Sequence, residues 1–335
     1  MRTFIVTLFF ISLSAFLFIG FLFFMVSYPP IQKARTVEIK VTPGESFSSV
    51  MHKLKDKNVI SNEKLFSLWA RLWAVDKKVH WGVYRFKLPL PPRQVLHRMV
   101  LGKILLHRIT IPEGLTVKEI GRLLENGKMT SKGRFFAEAT NADLLSFLDL
   151  QGKGVEGYLF PDTYYFAPFS KAEDMISAMV EQFRKRFSPT MARRAKELGL
   201  SVHEVVTLAS LIEKESGMDL ERPLVSAVFH NRLKSKMPLQ SDPTVIYGLK
   251  HFSGTLTRKD LQSPSPYNTY HVQGLPPGPI CNPGLSSLMA ALYPALVPYL
   301  YFVSKNDGSH AFSVSLDDHN RAVRIYQRRR RSRGR

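Results

Sequence analysis

An apolar run near the amino terminus constrains the chain more than any other feature. Residues 4–28 carry no charged side chain and consist mainly of Phe, Leu, Ile and Val. A helix of this length is about long enough to cross a hydrocarbon core of roughly 30 Å. The run exceeds the apolar part of a secretory signal, about 7–15 residues, and no small-residue cleavage site follows it. Residues 1–30 are therefore predicted to be a short tip and a retained transmembrane anchor, which Pro29 and Pro30 terminate.

The remainder of the chain is basic and poor in cysteine. Its 335 residues include 47 Lys and Arg against 27 Asp and Glu, a formal charge of +20 that suits nucleic acid, anionic lipid or an acidic polymer. Six of the arginines lie in residues 327–335, which we expect to be a disordered tail. One cysteine, Cys281, excludes an intrachain disulfide. Since the sequence has neither zinc-like Cys/His spacing nor a glycine-rich phosphate motif, we predict no metal and no cofactor.

Residues 36–150 contain a strand–turn–helix pattern twice. The first copy covers residues 36–54 and the second covers 107–124, each with alternating residues, a Pro/Gly turn and an apolar stripe at helical spacing. The size and texture of these units are similar to those of LysM glycan-binding modules. A plain α+β spacer is the alternative that the residues leave open.

The candidate chemistry is concentrated at the end of a helix predicted over residues 203–215. Glu215 lies three residues after Ile212 and seven after Leu208, so it continues the edge of the apolar face. The helix dipole and apolar neighbours both raise the pKa of a carboxyl group there, as a general acid at neutral pH requires. Glu213 lies further round the helix. On this segment alone, both glutamates could equally be solvated helix-end residues.

Polar loops rich in Pro and Gly follow, between residues 237 and 284. They combine a rigid backbone with hydrogen-bonding side chains, which suits an oligosaccharide cleft. An aromatic stretch at 156–166 is either packed core, the commoner fate of aromatic residues, or a sugar-stacking surface. A strand predicted at 299–303 could form the floor of the cleft.

Several motifs, in a fixed order, resemble those of the endolytic murein transglycosylases, the YceG-like family. The similarity covers essentially the whole chain apart from the arginine tail. The motifs are EGYLFPDTY, LASLIEKES, FHNRL, LQSDPTVIYG, PYNTY, GLPPGPI, NPG and YLYFV. Several long motifs in one order are far more specific than any one of them alone.

The resemblance implies an α+β protein with a single transmembrane helix, a small LysM-like glycan-binding region at 36–150 and a mixed α+β catalytic domain at 151–326. It implies a location in the inner membrane, with a cytoplasmic amino terminus and a periplasmic catalytic part. The implied partners are peptidoglycan glycan strands and the membrane, with peptidoglycan synthases as candidate protein partners. No nucleic acid is expected.

The resemblance also implies a site and a reaction. The second glutamate of the family's E-K-E-[ST] motif is the catalytic one, and it corresponds to Glu215. Supporting or substrate-binding roles are implied for Glu213, Gln240, Asp242, Tyr247, Asn268 and Tyr270. The implied reaction is non-hydrolytic: it cleaves the MurNAc–GlcNAc bond of nascent strands, leaves 1,6-anhydro-MurNAc ends and so terminates glycan elongation.

Three other functions remain open at this stage. A muramidase would hydrolyse the same bond with Glu215 and Asp242 as its two carboxylates. A membrane-tethered, non-catalytic glycan-binding scaffold would need neither residue for chemistry. Nucleic-acid binding through the arginine tail is the third, and a transmembrane anchor with the globular part outside the cell membrane argues against it.

Overall fold

A computed structural model describes residues 2–30, 33–150, 154–168 and 170–328. The described residues form fourteen α-helices and six β-strands, which confirms the predicted α+β class. They divide into two compact units, the first comprising 2–108 and 165–168 and the second 109–164 and 170–328. The tail predicted at 327–335 falls almost entirely outside the described residues.

The apolar run forms the first helix, α1 (Arg2–Ser27). Its segment Phe4–Ser27 has a mean hydropathy of 2.6 over 24 residues. Within the described ranges, it is the one helix long and apolar enough to cross a membrane. Nearly all of its side chains are exposed, but Leu22 and Val26 are buried near its carboxyl end. The predicted apolar helix is therefore present.

The first unit continues with a two-stranded sheet and three helices. These elements are β1 (Arg35–Val41), α2 (Phe47–Asp56), α3 (Glu63–Leu72), β2 (Gly82–Leu88) and α4 (Pro92–Val100). The strands are antiparallel, with Arg35 opposite Leu88 and Val41 opposite Gly82. Side-chain oxygens of Ser46 and Asn62 accept backbone N–H bonds and so fix the starts of α2 and α3.

The second unit is mainly helical. Its helices are α5 (Val117–Asn126), α6 (Lys132–Ala139), α7 (Ala142–Phe147), α8 (Ala172–Arg186), α9 (Pro189–Glu197), α10 (Val202–Glu215), α11 (Arg222–Lys234), α12 (Asp242–Gly248), α13 (Leu285–Leu292) and α14 (Leu316–Val323). Strands β3 (His107–Thr110) and β4 (Thr163–Phe166) pair with each other, and so do β5 (Tyr301–Ser304) and β6 (His310–Ser313). Single 3-10 turns lie at Asp219–Glu221 and Asp260–Gln262, and a π-helical turn lies at Arg324–Arg328.

The second strand–turn–helix copy consists of β3 and α5. Thr116 and Glu119 form a reciprocal capping box at the start of α5, which satisfies two backbone N–H groups. The boundary between the compact units falls after residue 108, within β3. Residues 36–150, which the sequence suggests are one glycan-binding region, are thus divided between the two units.

Helix α10 is the central helix of the second unit. It packs against α9, α11, α12 and α13, and all of its residues from Val205 to Ile212 are buried. The sequence pattern indicated one apolar face, but Thr207 and Ser210 on the other side are buried too. They are accommodated because each hydroxyl donates to a carbonyl one turn back along the helix, those of His203 and Thr207 respectively. This burial makes α10 a rigid support for its last residue, Glu215.

Candidate active site

The carboxyl end of α10 places Glu215 in a desolvated position. The helix begins with a capping box between Ser201 and Glu204, and Glu215 is its last residue. Ser216 follows in an extended conformation, with φ of −114°, so the backbone turns away directly after the glutamate. Glu215 as a whole is half-buried, but its carboxyl group lies below the surface.

A single short hydrogen bond holds the Glu215 carboxyl group. The hydroxyl of Ser241 donates to Glu215 Oε1 over 2.5 Å. Burial is the main reason that the pKa of Glu215 is raised from 4.5 to about 7. The charge of Asp242 also raises this pKa, while the Ser241 hydrogen bond and the charge of Arg232 lower it. The carboxyl group can therefore hold a proton at neutral pH.

Helix α12 brings Asp242 into the same site. Asp242 is its first residue, at the positive end of the helix, and it is exposed. The hydroxyl of Tyr270 donates to Asp242 Oδ1 over 2.6 Å. Burial is the main reason that the pKa of Tyr270 is raised, and the charges of Asp242 and Glu215 raise it further. Three of the residues singled out from the sequence, Glu215, Asp242 and Tyr270, thus lie together.

A buried polar network holds the loop before α12. The backbone N–H of Ser241 donates to Thr269 Oγ1 over 3.0 Å, and the hydroxyls of Thr244 and Thr269 lie 2.9 Å apart. The N–H of Gln240 donates to the Thr269 carbonyl over 3.1 Å. Gln240 has a left-handed backbone, with φ of +50°, and an exposed side chain. Such a backbone is unfavourable for a residue with a side chain and persists where its surroundings fix it.

Arg232 joins three segments around the site. It is buried and lies on α11, where its guanidinium donates to the carbonyls of Leu239 and Leu300 over 2.8 and 2.7 Å. Its charge centre also lies 5.3 Å from the ring centre of Tyr301 on β5. Arg232 therefore fixes the loop before Ser241 against the start of β5. The strand predicted at 299–303 is β5, which begins two residues later than predicted.

Glu213 has a different environment from Glu215. Its side chain is buried and pairs with the buried side chain of Arg222 over 3.1 Å. Its second oxygen accepts the backbone N–H of Gly284 over 2.9 Å. Both oxygens of the Glu213 carboxylate are therefore engaged by partners within the protein. The geometry thus favours a structural role for Glu213.

Two other candidates from the sequence are engaged elsewhere. Asn268 is fully buried, and its amide donates to the carbonyls of Leu261 and Ser263 over 2.9 Å each. Its amide stabilises the loop and is not free to contact a substrate. Tyr247, at the far end of α12, donates to Glu156 Oε2 over 3.2 Å. The structure therefore brings neither side chain to Glu215.

Glu156 is a further buried carboxyl group, and it lies beside a cavity of about 430 Å³. Burial raises its pKa to about 7. Besides Tyr247, it accepts from the N–H of Val117 at the start of α5 and from the amide of Asn282, both over 3.0 Å. With these partners, Glu156 ties α5 to the loops that follow α12.

Sequence reasoning missed Ser241 and Arg232 as parts of the site, and it missed Glu156 as the partner of Tyr247. Each lies inside a motif that carries the family resemblance, but none has a local signal of chemistry. Ser241 precedes a more conspicuous acidic residue, and Arg232 reads as an ordinary helix-end cation. Among the described residues, no three His, Cys, Asp or Glu side chains are grouped so as to hold a metal ion.

Comparisons with known proteins agree with the motifs. Residues 39–325 match the model of the YceG-like family. An endolytic murein transglycosylase of Bacillus subtilis (strain 168) is 35% identical over 315 residues, which is 89% of this chain and 87% of that protein. A protein of the same name from Streptococcus pneumoniae serotype 2 is 28% identical, covering 93% of this chain. The chain spans 62% of the length of that relative.

A solved structure resembles the fold. The 2.6 Å crystal structure of a YceG-like protein from Listeria monocytogenes superposes with a TM-score of 0.60 and 32% sequence identity. The match covers 85% of this chain and 98% of the Listeria chain. Sequence and fold thus point in the same direction. The chain belongs to the YceG-like family.

Proposed function

We propose that this protein is an endolytic murein transglycosylase that cleaves MurNAc–GlcNAc bonds within glycan strands and leaves 1,6-anhydro-MurNAc ends. The enzyme class, a lytic transglycosylase and hence a lyase, follows from family membership and from the names of the curated relatives. The observation that supports the detailed chemistry is the Glu215 carboxyl group, with a pKa of about 7 at the end of a rigid helix. A group with this pKa can donate a proton and later accept one near neutral pH.

The first step uses protonated Glu215 as a general acid. Its proton passes to the oxygen between MurNAc and GlcNAc while the bond from that oxygen to the MurNAc anomeric carbon breaks. The departing GlcNAc keeps the oxygen as a hydroxyl group. Positive charge develops at the anomeric carbon, and the carboxylates of Glu215 and Asp242 stabilise it. The Ser241 hydroxyl keeps the Glu215 carboxylate oriented.

The second step closes a ring within the same sugar. The C6 hydroxyl of MurNAc attacks its own anomeric carbon, and Glu215 takes the hydroxyl proton. A new bond from the anomeric carbon to O6 replaces the broken one, and the acid is restored. One carboxyl group suffices because the nucleophile is internal, whereas a hydrolase usually needs a second carboxylate to bind water or to attack.

The second candidate function is that of a muramidase, a hydrolase of the same bond. The position of Asp242 is the observation that supports this alternative. The charge of Asp242 acts on Glu215, so this side chain could serve as the second carboxylate. The Tyr270 hydroxyl already occupies one of its oxygens over 2.6 Å. Hydrolysis in heavy-oxygen water would label the new reducing ends, whereas anhydro ends would carry no label.

The remaining assignments extend the proposal to the whole protein. Helix α1 anchors the protein as a single pass in the inner membrane, with its amino terminus in the cytoplasm and the catalytic part in the periplasm. The region at 36–150 binds glycan in a LysM-like manner, and the catalytic domain covers 151–326. Cleavage terminates the growth of nascent strands, and peptidoglycan synthases are candidate partners.

The test is digestion of uncrosslinked glycan strands by the full chain in detergent, with mass analysis of the ends. Glu215→Gln should lower the rate by about 10²–10⁴-fold, the usual contribution of a general acid–base. Glu213→Gln is the matched control, since it makes the same change two residues away, and it should retain activity per folded molecule. Full activity of Glu215→Gln would refute the assignment and favour a non-catalytic scaffold.

A further inference from the structure

The carboxyl end of α1 packs against the rest of the first unit. Leu22 and Val26 are 2% and 3% exposed, and α1 contacts α3 and α4. A helix of 24 residues is about 36 Å long. A hydrocarbon core is about 30 Å thick. If α1 spans the membrane, it is therefore slightly longer than the hydrocarbon core is thick. Whichever end carries the extra length, the turn that contains Val26 lies within a few Å of the boundary between hydrocarbon and headgroups.

An apolar groove with aromatic walls opens beside this contact. Phe23 of α1 lines it together with Trp69 and Trp73 of the first unit, and its volume is about 420 Å³. The two indoles stack with ring centres 5.6 Å apart, and Trp73 is 53% exposed. Arg93 on α4 lies over the Phe23 ring at 5.6 Å. Exposed tryptophans and arginines next to a membrane-spanning helix are typical of the bilayer interface.

The charge of this part of the chain is complementary to an anionic lipid surface. Residues 29–108, which follow α1, contain 16 lysines and arginines but only 5 acidic residues, a formal charge of +11 in under a quarter of the chain. Lysines and arginines that lie close to a membrane surface are attracted by anionic headgroups. The charge excess is therefore concentrated in the segment that α1 would hold against the bilayer.

We propose that the interfacial face, formed by Phe23, Trp69, Trp73 and Arg93, lies in the headgroup layer of a bilayer that contains anionic phospholipid. The proposal rests on the proposed anchoring of the chain by α1. It assigns the groove to lipid and not to a glycan strand, because the groove continues the lipid-facing surface of α1 through Phe23. The first unit would then be held at a fixed height on the membrane and not on a free tether.

The three tryptophans of the chain allow a direct test, since all of them lie in the first unit. Trp81 precedes Gly82, which pairs with Val41 at the end of the sheet remote from Arg35. A seven-residue strand is about 20 Å long. Trp81 is 60% exposed, similar to Trp73, and it is not one of the residues that line the groove, so it serves as a matched control.

Two variants of the full chain are used: one keeps only Trp73 and the other keeps only Trp81, with Phe at the other two tryptophan positions. Each variant is reconstituted in vesicles of phosphatidylethanolamine and phosphatidylglycerol. Lipids with a nitroxide near the headgroup should quench Trp73 about twofold or more above Trp81. A nitroxide at the end of the acyl chain should quench both weakly. The charge-reversal variant Arg93→Glu should reduce the quenching of Trp73.

The experiment distinguishes failure of the proposed anchoring from failure of the proposed interfacial face. If carbonate washing removes the protein from the vesicles, both the anchoring and the interfacial face are wrong. If the protein remains integrated but Trp73 and Trp81 are quenched equally, the anchoring stands and the interfacial face is wrong. A change in Trp73 emission on addition of soluble uncrosslinked glycan, without quenching by lipid, would assign the groove to glycan and overturn the proposal.

Discussion

The hydroxyl of Ser241 donates a 2.5 Å hydrogen bond to Oε1 of Glu215, 26 residues earlier in the chain. This bond favours the carboxylate, whereas burial and the charge of Asp242 favour the protonated acid. The pKa of about 7 is therefore a balance between groups on two elements, because Glu215 ends α10 and Ser241 precedes α12. Single substitutions can shift this balance in either direction.

Removal of the Ser241 hydroxyl should raise the pKa of Glu215. A hydrogen bond to a charged group contributes about 1.5–3 kcal/mol, so Ser241→Ala should move the alkaline limb of the pH–rate profile upward by about one to two pH units. The rate below that limb should also fall, since the carboxyl group is less well oriented. Initial rates of glycan cleavage against pH measure both effects. Ser315→Ala, at an exposed helix cap, is the control, and an unshifted limb in Ser241→Ala would contradict the prediction.

Removal of the Asp242 charge should have the opposite effect. Because this charge raises the pKa of Glu215, Asp242→Asn should move the alkaline limb to lower pH. The transglycosylase mechanism expects a moderate loss of rate, about tenfold, since Asp242 acts only through its charge. The hydrolase alternative expects a loss of about a thousandfold or more, because its second carboxylate would be missing. The same pH–rate series separates the two mechanisms.

Two tyrosines offer a matched pair of substitutions. Tyr270 donates to Asp242 in the site, and Tyr247 donates to Glu156 at the other end of α12. Tyr270→Phe should lower the cleavage rate about tenfold, because Asp242 loses the bond that orients it. Tyr247→Phe should leave the rate nearly unchanged and lower the free energy of unfolding by about 1 kcal/mol. Equal effects of the two variants on the rate would show that the placement of α12 matters more than the Tyr270 contact.

Local sequence patterns predicted the helices and strands well, but they could not predict contacts between residues that are far apart in the chain. The end of α10 at Glu215 and the strand β5, to within two residues of its predicted start, follow from periodicity and turn residues, which act over a few positions. Spacing in the sequence could not predict that Ser241 is the partner of Glu215. The loop before α12 is held near Glu215 by the left-handed backbone of Gln240 and by the contact with the buried Thr269. Whether Glu215 is the catalytic residue stays a prediction until the variants are measured.

Polar loop residues were the hardest to assign. The family resemblance implied supporting or substrate-binding roles for Tyr247 and Asn268, which lie in Gly/Pro-rich segments with hydrogen-bonding side chains. In the structure, the Asn268 amide stabilises its own loop, and Tyr247 bonds to a buried glutamate. A buried polar side chain must find partners, and sequence alone does not tell a partner within the protein from one in a substrate.

The ion pair of Glu213 and Arg222 should contribute to stability and not to catalysis. Arg222→Met leaves the buried Glu213 carboxylate with the Gly284 N–H and should lower the free energy of unfolding by about 3 kcal/mol. Glu213→Gln should cost less, about 1 kcal/mol, because Arg222 keeps Asp219 at 2.8 Å. Denaturant unfolding of the full chain in detergent measures the difference. A shifted pH–rate profile in Glu213→Gln would instead give Glu213 a part in the chemistry.

The raised pKa of Glu215 also predicts a cost in stability. The folded chain keeps a proton on Glu215 up to about pH 7, whereas the unfolded chain releases it near the ordinary value of 4.5. Between these pH values the folded state binds more protons, so the free energy of unfolding falls as the pH rises. Above pH 7 the buried carboxylate should cost on the order of 3 kcal/mol.

Glu215→Gln should therefore be more stable than the wild type above about pH 7, and nearly equal to it only below 4.5, where the folded and unfolded wild-type chains both hold the proton. Glutamine has nearly the same shape and cannot ionise, so it can keep the Ser241 bond without the desolvated charge. Denaturant midpoints of both proteins across this pH range test the expectation. Glu173→Gln, at an exposed position of α8, should follow the wild type throughout. A stability difference between Glu215→Gln and the wild type that does not vary with pH would mean that Glu215 is already ionised in the acidic range, which would remove the basis for its role as the general acid.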